Sequence, residues 1–352
     1  MEYPVSLYYD TEPNDVEIMD LCRGDDDFRK VYIVKSSERR LVVKYLSNTF
    51  SDERRIMGWF RLMEEYRKTG LYVPEVVPNR YGELLHKEEK DGRIYYIYAE
   101  EYSIYETAEH IGRDKCKDEN GNFVFTPDVM RSLGKIASAK LDFLDWPSAY
   151  CLLEPFCAPD TTDETTECAI GFAEYVKNNI PQYSSRVDEL LRLFYAVQGE
   201  VRAVYDTLPT SCFQADLNDT NILLDDNKNF VGLLDYNLCG KEPVLNYAVR
   251  EALWAVWDNC LFGEKDRRLH FYSKELDDVR INSFIRNISC VQEYYEFSDE
   301  ERKAFPILFR YINSFWWQHL EEIEAVREDD EKINMLFDYL EYQMTRDDIR
   351  LP

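Results

Sequence analysis

The sequence is poor in histidine, glycine and proline, with 4 His, 13 Gly and 13 Pro in 352 residues. His86, His110, His270 and His319 never fall at metal-ligand spacing, which excludes a histidine-built zinc centre. The 9 cysteines form no C-x-x-C pair, so neither a thiolate metal cluster nor a disulfide framework is expected. No window approaches eighteen apolar residues, so no helix is expected to span a bilayer. Positive charge is also scarce. Lys+Arg 42 against Asp+Glu 68 leaves a net charge of −26, a surface that repels phosphate backbones and anionic lipid headgroups. Nucleic-acid and membrane-surface binding are therefore excluded as main functions. The opening Met1-Glu2-Tyr3-Pro4 shows no basic-then-apolar leader, and with reduced thiols this reads as a cytoplasmic protein.

A hydrophobic share of 45% is enough for a sizeable core in one large or two ordinary domains. The first hundred residues read as strands with one helix. Val31 to Val34 and Leu41 to Tyr45 are short β-branched and aromatic runs joined by the polar stretch Lys35 to Arg40, which includes Glu38. Ser51-Asp52-Glu53 can cap a helix carrying Ile56, Trp59, Phe60 and Met63 at helical spacing and stopping near Gly70. Two further strands are expected at Tyr81 to His86 and Ile94 to Ala99, with Lys90-Asp91-Gly92 as the turn.

From about Asp128 the pattern becomes one of long amphipathic helices: Val129 to Leu144, Ile170 to Asn179, Val187 to Thr207, Val244 to Leu261 and Phe305 to Val326. Asp160 to Thr166 reads as an exposed loop. Within this helical part, Ile222 to Leu224 and Phe230 to Leu234 form two short strands around the turn Asp225 to Asn229. Residues 1–100 hold 16 basic and 20 acidic side chains and the remainder 26 and 48, so the charge divides as −4 and −22. A site opening onto the helical part would attract a cationic small molecule, although acidic helices also serve simply as solvated faces.

The run Gln214-Ala215-Asp216-Leu217-Asn218-Asp219-Thr220-Asn221 followed by Leu233-Leu234-Asp235-Tyr236 carries the chemistry. A loop Asp, an Asn entering a strand and an Asp ending the paired strand converge at one end of a hairpin. Phosphoryl transfer uses such a set: one carboxylate orients the acceptor hydroxyl and takes its proton, while an amide oxygen and a second carboxylate hold Mg²⁺ on nucleotide phosphates. As plain turn and cap residues these positions would also be ordinary.

The segment resembles the H-x-D-x-x-x-x-N motif, strand, turn and G-x-[ILV]-D-[FYW] element of the aminoglycoside phosphotransferase and choline kinase-like family. This implies Asp216 as catalytic base, Asn221 and Asp235 as Mg²⁺ ligands, and Leu223 and Leu234 as the floor of an ATP or GTP pocket. Leu41-Val42-Val43-Lys44 resembles the family's strand lysine, whose ammonium contacts the phosphates. Glu53 falls where the family carries the glutamate that pairs with that lysine; alone, it is a helix-start carboxylate. Ile97 to Tyr102 resembles the hinge between lobes, where backbone groups around Glu100 and Tyr102 receive the base. Leu133-Gly134-Lys135 onward resembles the first long helix of the helical lobe.

The resemblance implies an α+β, two-lobed protein-kinase-like fold: residues 1–100 form a small antiparallel-sheet lobe that binds nucleotide, and 101–352 a mostly helical lobe with the catalytic loop and acceptor site. The implied activity is transfer of a γ-phosphoryl group to a hydroxyl of a small, cationic acceptor such as an aminoglycoside or amino alcohol. Gln214 replaces the family's His, Asn246 replaces an Asp that braces the catalytic loop, and the phosphate-covering loop Arg23 to Arg29 carries Asp25, Asp26 and Asp27 in a row. These departures motivate the alternative of a weak or inactive nucleotide-binding module. Asp142, Asp145, Glu242 and Glu251 are further candidate cation ligands. Trp316-Trp317 with Tyr311 and Phe315 reads as core packing or as an aromatic wall for a quaternary ammonium.

Overall fold

A computed structural model describes residues 2–352 except 12, 25, 38, 120, 121 and 261–273. Asp25, Glu38, Leu261 and His270 thus lie outside the described residues. The elements run α1 (Tyr3–Ser6), β1 (Val16–Asp20), β2 (Phe28–Lys35), β3 (Arg40–Ser47), α2 (Glu53–Lys68), β4 (Val76–Val77), β5 (His86–Lys90), β6 (Arg93–Glu101), β7 (Glu106–Thr107) and α3 (Ala108–Ile111). They continue with α4 (Thr126–Ala139), α5 (Glu164–Asn179), α6 (Ser184–Val204), β8 (Thr210–Phe213), β9 (Ile222–Leu224), β10 (Phe230–Leu233), β11 (Gly240–Pro243) and α7 (Val244–Cys260). The chain ends in α8 (Lys274–Gln292), α9 (Asp299–Ile312), α10 (Trp317–Val326) and α11 (Asp330–Thr345).

The first part is an antiparallel sheet in the order β1-β2-β3-β6-β4, with β5 also on β6. Alternation along β3 gives its two faces separate jobs. Leu41 and Val43 point outward into a cluster with Val34, Ile97, Ala99 and the N-terminal Val5, Leu7, Tyr8 and Tyr9. Lys44 and Leu46 point to the other face. There α2 lays Ile56, Trp59, Phe60, Met63 and Tyr66 against Tyr96 and Tyr98, in a core continuous with the helical part. Asp52 caps α2 by accepting from the Arg55 amide. Gly58 lets α2 approach closely: a Cβ there would lie 2.4 Å from the Trp146 ring.

Several expectations change. The strand placed at Tyr81 to His86 begins only at His86, because Asn79 Oδ1 accepts from the Tyr81 and Glu83 amides and folds the preceding residues into a turn. The helix placed at Val129 to Leu144 ends at Ala139, where Lys140 turns left-handed at φ 49°. Asp163 caps α5, so Thr165 and Thr166 are buried helix residues rather than exposed loop. Phe305 to Val326 is two helices, α9 and α10, broken at Asn313 to Trp316. Periodicity missed that break because Phe315 and Trp316 stay buried through it. Among the described residues no helix is long and apolar enough to cross a membrane.

Candidate active site

Lys44, Asp216, Asn221 and Asp235 come together where the sheet meets the helical part. The β9–β10 hairpin pairs Leu233 with Ile222, which brings Asp235 beside the loop before β9. Gly232 lets the Tyr72 backbone close against this hairpin: a Cβ there would sit 1.8 Å from the Tyr72 carbonyl oxygen. Asp216 Oδ2 accepts from Asn221 Nδ2 at 2.8 Å and Oδ1 from Asn218 Nδ2 at 2.6 Å. Burial, and then the nearby Asp235 charge, push the Asp216 carboxyl up to about 6.

Two residues here hold positive φ without being glycine, Ala215 at 63° and Asp235 at 51°. Gln214 holds that strained backbone. Its fully buried side chain donates from Nε2 to the Asp216, Leu234 and Asp235 carbonyls at 3.1, 2.9 and 2.5 Å, and Oε1 accepts from the Asp216 amide at 2.8 Å. Gln214 thereby ties the loop of Asp216 to the strand end of Asp235. Asn246 does not brace this loop; its Nδ2 donates to the Tyr150 carbonyl and to Glu242 Oε2.

Lys44 is nearly buried and lies 3.0 Å from Glu100 Oε1 and 3.5 Å from Asp235 Oδ1. Burial works against its charge, but Asp235 and Glu100 outweigh that and hold the ammonium well above its usual value. Glu53 is not the lysine's partner. It sits exposed at the first turn of α2 and faces Lys87 at 4.0 Å. Strand register explains the exchange: Val42 pairs with Glu100 and Lys44 with Tyr98, so Lys44 and Glu100 are diagonal neighbours on one face.

Glu100 accordingly contributes its side chain to Lys44, and the amides that follow it are engaged within the fold. The Glu101 amide donates to the Glu75 carbonyl at 2.9 Å and the Tyr102 amide to the Arg40 carbonyl at 3.0 Å. Tyr102 therefore cannot offer its amide to a nucleotide base in this arrangement. Leu223, two residues after Asn221, is fully buried, and Leu234, next to Asp235, is half-buried. In the acidic loop, Asp27 is paired with Arg29 at 2.7 Å and Asp26 is exposed.

Among the described residues no three His, Cys, Asp or Glu side chains gather as a metal centre. Mg²⁺ fits such a place when one carboxylate and one amide oxygen share it with phosphates and waters. Asp235 has a side chain 36% exposed, and its charge together with that of Asp216 leaves negative field for a cation. The donor set Asn221 and Asp235 thus suits a hard, oxygen-seeking ion.

The other acidic candidates divide. Asp142 pairs with Lys241 at 2.6 Å and Asp145 with Arg54, both on the surface. Glu242 and Glu251 are buried, and burial pushes their carboxyls up to about 7 and about 8. The aromatic residues divide as well. Tyr311 is buried in a polar cluster with Asp163, Thr166 and Gln198, and Phe315 is core. Trp316 and Trp317 instead line a cavity with Tyr150, Trp254 and Glu251. Sequence spacing could not find this set, which comes from the segment before α5, from α7 and from the start of α10.

No protein-family model matches the sequence, and a search of curated proteins found no relative. Solved structures do match. An amicoumacin kinase in complex with AMP-PNP, Ca²⁺ and Ami aligns over 97% of this chain and 91% of its own, with a TM-score of 0.52 and 12% identity. An aminoglycoside phosphotransferase from Alicyclobacillus acidocaldarius aligns over 96% and 93%, with a TM-score of 0.49 and 11% identity. A microcompartment-associated aminopropanol kinase aligns over 97% and 93%, with a TM-score of 0.47 and 13% identity. The fold assignment rests on the first of these. The chain has the two-lobed kinase-like fold, with a small antiparallel sheet followed by a helical part. At such identity the likeness speaks for the fold, and activity has to be argued from the site.

Proposed function

We propose that this protein is a small-molecule kinase that transfers the γ-phosphoryl group of ATP or GTP to a hydroxyl of a small, cationic acceptor. The observation that carries this reading is the convergence of Lys44, Asp216, Asn221 and Asp235 on one cleft, locked by Gln214. Asp216 is the base: as the acceptor oxygen forms its bond to the γ-phosphorus and the bond to the bridging oxygen of the leaving diphosphate breaks, the hydroxyl proton passes to the Asp216 carboxylate. Asn221 and Asp235 would hold Mg²⁺, which supplies charge neutralisation on the phosphates. Lys44 orients the phosphates, Glu100 positions Lys44, and Leu223 and Leu234 floor the base pocket. The boundary between the two functional lobes falls at the end of β6, near residue 101.

The inactive-module alternative drew on Gln214 and the acidic loop. Gln214 makes the loop-bracing hydrogen bonds, and Asp27 is paired with Arg29, which supports the catalytic reading at both places. The test is nucleotide consumption with Mg²⁺ and ATP or GTP across amino alcohols, aminated sugars and neutral alcohols. Acceptor-dependent turnover that disappears in Asp216→Ala supports the reading. Turnover unchanged in that variant removes Asp216 as base.

A further inference from the structure

Glu251, on α7, is a buried acidic side chain that the cleft chemistry leaves unused. It is only 4% exposed, and its Oε1 has no hydrogen-bond partner among the described residues. A buried carboxyl oxygen in that state gains from a donor brought to it by a ligand. Glu251 lines a cavity with Tyr150, Arg250, Trp254, Trp316 and Trp317. Trp254 and Trp316 stack in parallel at 6.2 Å, and Trp317 is half exposed at the mouth. Arg250 is committed to Glu164 and lies 4.2 Å from the Tyr150 ring, so the guanidinium is already occupied. Glu251 and Trp254 also line an adjoining cavity with Leu217, the residue after Asp216, which places the carboxyl beside the catalytic loop.

From this juxtaposition of an unpartnered buried carboxyl, flat indole walls and the neighbouring catalytic loop, we infer that the Glu251 cavity is the acceptor subsite. Its ligand is a hydroxyl compound with one protonated N–H amine on a flat or apolar framework. The inference rests on the kinase reading above and narrows its substrate class. Of the two carboxyls lining the cavity, Glu164 is engaged by Arg250, which leaves the Glu251 carboxyl for one ammonium and sets this ligand apart from a polyaminated sugar. A hydrogen-bond acceptor calls for an N–H, which a quaternary ammonium lacks. The indole faces favour both the cation and the apolar body. The acidic helical part raises the local concentration of such a cation.

The tryptophans provide the readout, as quenching of intrinsic fluorescence by four probes: 2-amino-1-phenylethanol, its N,N,N-trimethyl derivative, the uncharged 1-phenylethane-1,2-diol, and kanamycin. The amine is expected to bind about tenfold or more tightly than the diol and the trimethyl derivative, in line with a charge-assisted hydrogen bond, and more tightly than kanamycin. Glu251→Gln should bring the amine down to the level of the diol without changing the diol itself. Trp254→Leu should weaken amine and diol together, and it serves should the first variant not fold. Equal affinity for amine and diol, preference for kanamycin, or an unchanged amine affinity in Glu251→Gln would each overturn the inference. Thermal stabilisation by Mg²⁺ and ATP, measured on the same samples, separates the two levels. Its loss from the wild-type protein would count against the kinase reading, whereas stabilisation without amine selectivity counts against the subsite alone.

Discussion

In the cleft, two carboxylates share one ammonium: Lys44 stands between Glu100 and Asp235 at 3.0 and 3.5 Å. In the helical part, Glu242 and Glu251 are buried with no ammonium or guanidinium in ion-pair contact among the described residues, and their carboxyls are pushed up to about 7 and about 8. The two regions answer the same burial problem differently. Under the proposed function the paired charges in the cleft can be handed over, Lys44 to a phosphate and Asp235 to a metal ion, without leaving an isolated buried charge. Near neutrality Glu251 stays largely protonated and Glu242 about half so, and both release protons as pH rises or a cation arrives. Charge in the first region is kept ionised by pairing; charge in the second is held back by burial.

The sharpest way to break this comparison is Asp216→Asn, which keeps the shape of the side chain and removes the base. A loss of about 10³-fold in kcat is expected, with nucleotide binding retained, as read by steady-state kinetics and thermal shift. Next in size is Lys44→Ala. Removing the ammonium strands Glu100 and Asp235, and the protein should lose on the order of 3 kcal/mol in denaturant unfolding besides its affinity for nucleotide. Glu100→Gln and Glu53→Gln form a matched pair. The first should raise the nucleotide KM about tenfold, the scale of one lost charge-assisted contact, and the second should leave it unchanged. The reverse result would return Glu53 to the role that sequence position suggests.

The smallest expected effect is on pH. Glu242 is raised by burial against the hydrogen bonds of Ser148 and Asn246 and the Arg250 charge, and Glu251 by burial against Arg250 with Asp216 and Glu242 adding to it. Both native values lie above the ordinary 4.5, so the native state holds the extra protons. The associated stability is complete below about 4.5 and is lost as pH rises through about 7 and 8. The melting temperature should fall across that window, and Glu242→Gln should make the fall shallower. A parallel curve in the variant would contradict the assignment.

What could be read from the sequence follows from distance along the chain. Asp216, Asn221 and Asp235 lie within one hairpin, so their spacing encodes their meeting, and the alternation of β3 places Lys44 on the inner face. The Lys44 partner was not legible, because it depends on the register between β3 and β6, strands some fifty residues apart. Glu53 has the right sequence position and the wrong exposure: at the first turn of α2 it is held by solvent and Lys87. At the hinge the same distance hides a detail: the Tyr102 amide is claimed by the Arg40 carbonyl across the sheet. Glu251 reads in the sequence as one of four candidate cation ligands and Trp254 as helical pattern only; what singles out Glu251 and joins the two in a cavity is Trp316 at the start of α10. Gln214 was read as a departure, and its four hydrogen bonds show why an amide serves there.

The most direct test of the central claim is transfer of label from γ-³²P-ATP or γ-³²P-GTP, with Mg²⁺, into a hydroxyl-bearing amine, comparing the wild-type protein with Asp216→Asn. The account predicts a labelled phosphomonoester that depends on the acceptor and falls by about 10³-fold in the variant, which still binds nucleotide. Equal labelling by both proteins, or label released only to water whatever the acceptor, would contradict it.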